Sequence, residues 1–284
     1  MVQRKYLWLR MVTALAIITL LISGCASAQT SDTNVAQGPS QEVSPNSSGD
    51  AKDGVKKDTN SDTVRFINAT YALITTSNDM DTSIYGGLKR SFLNNMSMEV
   101  ALKDSWNITD TASAESTIEW LMTEGHNKEF MDLLNEYQGS REEVMKFRQE
   151  LKAKGSLTSD ETQLLELYDM LEEVHTDNPE KGILAWDLCR ATQIASWSYV
   201  AGFLSYERSM EISIEASARL QEQFVSWDQL VHNYLLGYQY WSGESPEDAQ
   251  SELVYRKQIY TRLKVDPQGP YQVDWNTALN AQEI

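Results

Sequence analysis

The sequence is poor in the patterns from which catalytic sites are usually assembled. It contains no G-x-S-x-G, no P-loop, no G-x-G-x-x-G, no H-E-x-x-H and no C-x-x-C. These absences exclude nucleophile-elbow hydrolases, P-loop nucleotidases, dinucleotide-binding oxidoreductases, zincin-type proteases and dithiol redox proteins. Histidine is scarce: only His126, His175 and His232 occur, far apart in the chain. A histidine-rich metal site would need acidic ligands that the spacing does not indicate, so neither metal nor cofactor is expected. One acidic triplet, Asp79/Asp81/Ser83, has the opening spacing of a calcium loop. Its sixth position is Ile84 where glycine is required, and its twelfth is Arg90 where a bidentate glutamate is required, so calcium is excluded as well.

Basic residues are also in deficit. Lys and Arg number 24 against 41 acids, a formal net charge of -17. Arg4, Lys5 and Arg10 lie in the first 24 positions, where there are no acids; beyond them 21 basic residues face the same 41 acids. Such a surface repels phosphate backbones and anionic lipid, and no nucleic-acid partner is expected. Cysteine occurs only at Cys25 and Cys189. Cys189 lies inside an apolar helical pattern and reads as a small buried core residue.

What is present at the N-terminus is an address. Three basic residues precede an apolar run from Met11 to Ile22, too short for a comfortable permanent span, which reads as a signal peptide over residues 1–24. It ends in Ile22-Ser23-Gly24-Cys25, which resembles the lipobox of bacterial lipoproteins; an ordinary secretory signal with an incidental cysteine is the alternative. The resemblance implies that Cys25 is lipidated, holding the protein to a membrane outside the cytoplasm, and a thioether there would leave Cys189 without a disulfide partner. Ala26-Ser27 lacks the aspartate associated with inner-membrane retention. That implies the outer membrane in a two-membrane bacterium and the outer face of the plasma membrane in a single-membrane one. Residues 25–61 are rich in Ser, Asp, Asn, Gly, Gln and Lys and read as a flexible linker holding the domain about 30–35 Å from the lipid.

Residues 62–265 read as one all-α, bundle-like domain, since about 220 residues suit a single core. Helical spacing recurs from Thr63 to Thr76, where β-branched residues leave a strand as the alternative, over Leu88–Trp106 and through the later segments, with no alternating-period run between the recurring caps. Thr109 or Asp110 is placed to cap one helix, and Ser140 with Glu143, Thr158 with Glu161, and Ser226 with Gln229 spell capping boxes for others. Asn178-Pro179 predicts the start of a central helix, and Ser245-Pro246 that of a final amphipathic helix to about Lys264. Residues 266–284, with Pro267, Pro270 and Trp275, read as an extended tail lying on the domain.

The central helix carries Ile183, Asp187, Arg190, Ile194, Trp197, Ala201 and Leu204 on one stripe, while Leu184, Trp186, Leu188, Val200 and Phe203 make its other faces apolar too. A helix apolar nearly all round belongs in the middle of a bundle. The last core helix presents Trp227, Leu230, Val231, Tyr234, Leu235, Tyr238 and Trp241 as one aromatic stripe, either core or, at Trp227, Tyr234, Tyr238 and Trp241, a surface for a ligand or partner. The best polar constellation is His126, Asp187 and Arg190, where a carboxylate could fix an imidazole and an arginine could clamp an anion. It reads equally as a buried polar seam between helices.

Taken in order, several motifs resemble a bacterial family known only as domain of unknown function 1266, the YbeU/YbeR-like proteins. They are Trp106-Asn107-Ile108, Trp120-Leu121 through Gly125-His126 to Phe130, and Ala185-Trp186-Asp187-Leu188 with Arg190. Gly202, Ser226-Trp227, Tyr234, Leu236-Gly237 and Trp241 complete the set, spanning about residues 90–245. Where the family pattern has a basic residue after the glycine of the last core helix, this chain has Tyr238. The resemblance implies a fold and a set of positions but no chemistry. The expected function is therefore a non-enzymatic, membrane-anchored module recognising an unknown protein or envelope component. The alternative is an envelope hydrolase or small-ligand protein using His126, Asp187 and Arg190.

Overall fold

A computed structural model describes residues 61–280; the expected signal peptide, Cys25 and all of the expected linker but Ser61 lie outside them, as do the last four residues. The described residues form an all-α domain without strands. In chain order the helices are α1 (Asp62–Thr70), α2 (Ala72–Ser77), α3 (Phe92–Trp106), α4 (Thr111–Thr123), α5 (Gly125–Gly139) and α6 (Arg141–Lys152). Then follow α7 (Ser159–Asp177), α8 (Leu184–Ala201), α9 (Tyr206–Gln223), α10 (Trp227–Ser242) and α11 (Glu252–Val265), with a short 3-10 turn at Pro270–Gln272. None of them is long and apolar enough to cross a membrane.

Helix α8 is the axis of the fold. It packs on α9, α10, α4, α3 and α5, and 15 of its 18 residues are buried. Its Ala185, Ala191, Ala195, Ser196 and Ser198 keep the surface slim enough for neighbours on every side, while Trp186, Leu188, Ile194 and Val200 fill the spaces between them. The aromatic stripe of α10 is core: Trp227, Tyr234 and Tyr238 join Phe66, Trp186, Tyr271 and Trp275 in one cluster, with Trp241 packed at its margin.

Several caps form as the sequence spells them. Asp110 accepts from the Ser113 amide, and Thr158 and Glu161 cap reciprocally. Ser226 accepts from the Gln229 amide, but the Gln229 side chain bonds the Val225 amide rather than closing the box at Ser226. Ser140 makes no capping bond, because its own backbone already closes the preceding helix onto the Tyr137 carbonyl.

The boundaries differ from expectation in three places. The first predicted helix is broken at Tyr71, whose ψ of 19° leaves the helical track. The central helix begins at Leu184, not at Pro179: Gly182 adopts a φ of +56°, which turns the chain before the helix can start. The last helix begins after Ser251, which caps the Val254 amide, so Ser245-Pro246 opens a turn instead. The described part of the tail lies on the domain. Trp275 lies 4.9 Å from the Trp227 ring and donates to the Phe224 carbonyl, and the Asn280 amide donates to Thr63 Oγ1.

Candidate functional site

The polar constellation sits where the first turns of α5 and α8 meet. Gly125 opens α5 with a φ of +58°, and a Cβ there would lie 2.2 Å from Asp187 Oδ2. Only glycine lets the chain turn this close to the carboxylate. Asp187, 1 % exposed, then receives three donors from α5: the His126 amide at 3.1 Å, the Asn127 amide at 2.7 Å and His126 Nδ1 at 2.9 Å. An ionised carboxylate only accepts, so Nδ1 carries the proton in this arrangement. Asp187 thus caps the N-terminus of α5 from another helix, placing negative charge where the free amides and helix dipole favour it.

The capping is mutual. Asn127 on α5 accepts from the Ile183 amide at 2.7 Å, at the entrance to α8. Asn233, buried on α10, accepts from the Ala185 amide at 2.9 Å and donates to the Gly182 carbonyl at 2.8 Å. Three helices are therefore stitched at one node by side chains that each satisfy backbone groups of a neighbour. Gly237 completes the approach of α10: its Cα is so close to α8 that a Cβ would lie 2.2 Å from Trp186 Cβ.

Arg190, nearly one turn beyond Asp187, has its guanidinium 4.6 Å from the Trp106 ring centre and 5.1 Å from that of Trp186, with Nη1 donating to Gln193 Oε1. The structure thus brings His126 and Asp187 into contact and sets Arg190 on two tryptophan faces beside them. His126 keeps part of its ring open to solvent and meets the edge of the exposed Trp120 at 5.0 Å. Chemically the pair could move a proton at Nε2 or hold an acceptor there; its hydrogen bonds serve to join helices.

The remaining candidates lie elsewhere. Trp227, Tyr234 and Tyr238 are buried and offer a partner no surface. Arg256 of α11, itself buried, stacks 4.6 Å above the Tyr238 ring, bonds the Tyr234 hydroxyl and pairs with Glu252. A basic group thus reaches the position next to Gly237 from a different helix. His232 pairs with Glu173 at 2.7 Å on the wall of a cleft of about 180 Å³ shared with Glu166, Met170, Gln239 and Lys257. The His232 bond holds the Glu173 carboxyl below its ordinary range, and Glu173 in turn raises the imidazole. His175 meets the edge of the Tyr137 ring. Burial pushes the Cys189 thiol well above its ordinary range, which leaves it unreactive. No group of three or more His, Cys, Asp or Glu among the described residues could hold a metal ion.

One surface feature has no counterpart in the sequence reading. Helix α3 buries Met98 and Leu102 against α4 and α8, yet Phe92 is 77 % exposed, Leu93 75 %, Met96 49 % and Val100 57 %. Phe92, Met96 and Val100 follow at steps of four on the side away from the core. Apolar residues on both sides hide the pattern from a reading that looks for a single stripe. Asn127 and Asn233 were equally hidden, Asn127 being one polar residue among the polar neighbours His126, Lys128 and Glu129; an asparagine inside the aromatic stretch of α10 was the available signal.

Fold and node together define a class: an all-α domain organised about a buried central helix whose neighbours are locked to it by reciprocal capping. The profile of a family described as "Protein of unknown function (DUF1266)" matches residues 101–275, and the chain belongs to that family. The match runs beyond the last core helix into the C-terminal segment that carries Trp275. No curated protein and no solved structure matches the chain.

Proposed function

We propose that this protein is a lipid-anchored, extracytoplasmic domain that works by contact with another component of the cell envelope and not by catalysis. The observation that carries this reading is the exposed apolar face of α3, which the fold leaves without a partner among the described residues. The lipobox-like Ile22-Ser23-Gly24-Cys25 and the polar segment after it support the anchor. The engagement of Asp187 with backbone amides supports a structural role for the most conspicuous polar residues.

The test is metabolic labelling with an alkyne fatty acid. The wild-type chain is expected to take up label and sediment with membranes, and Cys25→Ser to lose the label. A wild-type chain that is unlabelled and soluble would overturn the proposal. A second reading, a small-ligand or hydrolytic site, rests on the partly exposed His126 ring beside Asp187 and Arg190. Under that reading a bound ligand would shift the His126 imidazole resonances, and His126→Gln would abolish its binding without unfolding the domain.

A further inference from the structure

We propose that the outer face of α3 is a membrane-contact face, which lays the domain against an anionic lipid surface. The inference rests on the lipid-anchor reading above and names the partner of the exposed face.

The face has the make-up of a helix that lies in a bilayer interface. Phe92, Leu93, Met96 and Val100 project together, and they include one large aromatic and one flexible sulfur side chain. Basic residues stand at both ends: Lys89 and Arg90 precede the helix, and Lys103, three residues after Val100, lies beside the exposed Asp104 at the far end of the stripe. From Lys89 to Asp104 three basic residues stand against two acids, Glu99 and Asp104. In a chain with a formal net charge of -17 this stretch is one where basic residues outnumber acids. Apolar side chains framed by lysine match acyl chains framed by phosphate headgroups.

The acidity of the remaining surface does not prevent such contact, because charges beyond about 8 Å are largely screened at physiological ionic strength. Nor does the contact need to be strong. An anchored domain meets its own membrane at an effective concentration on the order of millimolar, so a weak intrinsic affinity is enough.

Two methionines two residues apart provide the readout. Met96 is half exposed on the proposed contact face and Met98 is 1 % exposed on the core face. The full chain is floated with phosphatidylglycerol vesicles and oxidised with dilute peroxide, and sulfoxide at each methionine is followed by mass spectrometry. Met96 is expected to oxidise at least about fivefold more slowly in the wild type than in a Lys89→Glu/Lys103→Glu variant on the same vesicles, with Met98 slow in both. Equal Met96 rates in the two floated chains overturn the membrane-contact proposal and leave the anchor reading standing. A wild-type chain that does not float overturns both. Protection of Met96 that rises with protein density and accompanies cross-linked dimers assigns the face to a second copy and also overturns the proposal.

Discussion

Replacing Asp187 by alanine removes the acceptor shared by three donors at the junction of α5 and α8. The carboxylate is almost fully buried, so the His126 and Asn127 amides it serves have little access to replacement water. Charge-assisted hydrogen bonds contribute ~1.5–3 kcal/mol each, and breaking a buried charged contact from one side costs ~3–5 kcal/mol. The two figures describe the same loss and are not summed. In a domain of this size each kcal/mol lowers Tm by ~2–4 °C, so Asp187→Ala is expected to melt about 6–20 °C below the wild type. His126→Ala, which removes one bond at a partly open side chain, is expected to cost no more than about 1.5 kcal/mol. Asp187→Asn should fall between them, because one of its two terminal groups becomes a donor facing a donor. Urea titration of the three variants gives the order directly. If Asp187→Ala loses less than about 1 kcal/mol, or no more than His126→Ala, the carboxylate is not the cap described here.

Further outcomes follow from neighbouring groups. Gly125→Ala combines a left-handed backbone, at ~1–2 kcal/mol for an L-residue, with a Cβ that collides with Asp187, and should destabilise the fold more than Gly139→Ala, which meets nothing within 4 Å. Glu172 accepts from Arg141 and Tyr137, and chiefly the Arg141 contact lowers its carboxyl from 4.5 to about 2. A depressed folded pKa gives stability that is present above 4.5 and lost as pH falls towards 2. The advantage of wild type over Glu172→Gln should therefore shrink across that window in acid denaturation curves; a constant difference would contradict the pairing. His232 should titrate above 6.5 by NMR, and Glu173→Gln should lower it. The stability this pair adds is present below 6.5 and disappears as pH rises through the folded pKa.

The parts of the fold that depend on short-range spacing were legible in the sequence. The all-round apolar pattern of α8 placed it at the centre, and the caps at Asp110, Thr158 and Ser226 form where the residues indicate. Starts and stops set by distant residues were not legible. Nothing near Pro179 announces that Gly182 will turn the chain, because the groups that fix the start of α8 are Asn127 and Asn233, about fifty residues away on either side. The same holds for the polar site. His126, Asp187 and Arg190 could be picked out as chemically capable, but spacing could not tell a catalytic carboxylate from one that caps a helix. The distinction lies in which backbone amides the fold brings to it. Helix α3 was obscure for the opposite reason: its apolar residues satisfied a helical period on both faces, and only packing decides that Met98 and Leu102 face inward while Phe92 and Met96 do not.

The measurement that bears most directly on the helix junction is native-state amide hydrogen exchange at His126 and Asn127. First-turn amides of a helix ordinarily exchange fast, since no carbonyl within the helix accepts from them. With Asp187 as their acceptor, both amides should open only with the whole domain and show the slow exchange of buried α8 amides such as Leu188. Exchange as fast as that of the exposed first turn of α3 would contradict the account, and would return Asp187 to the list of residues free to act on a ligand.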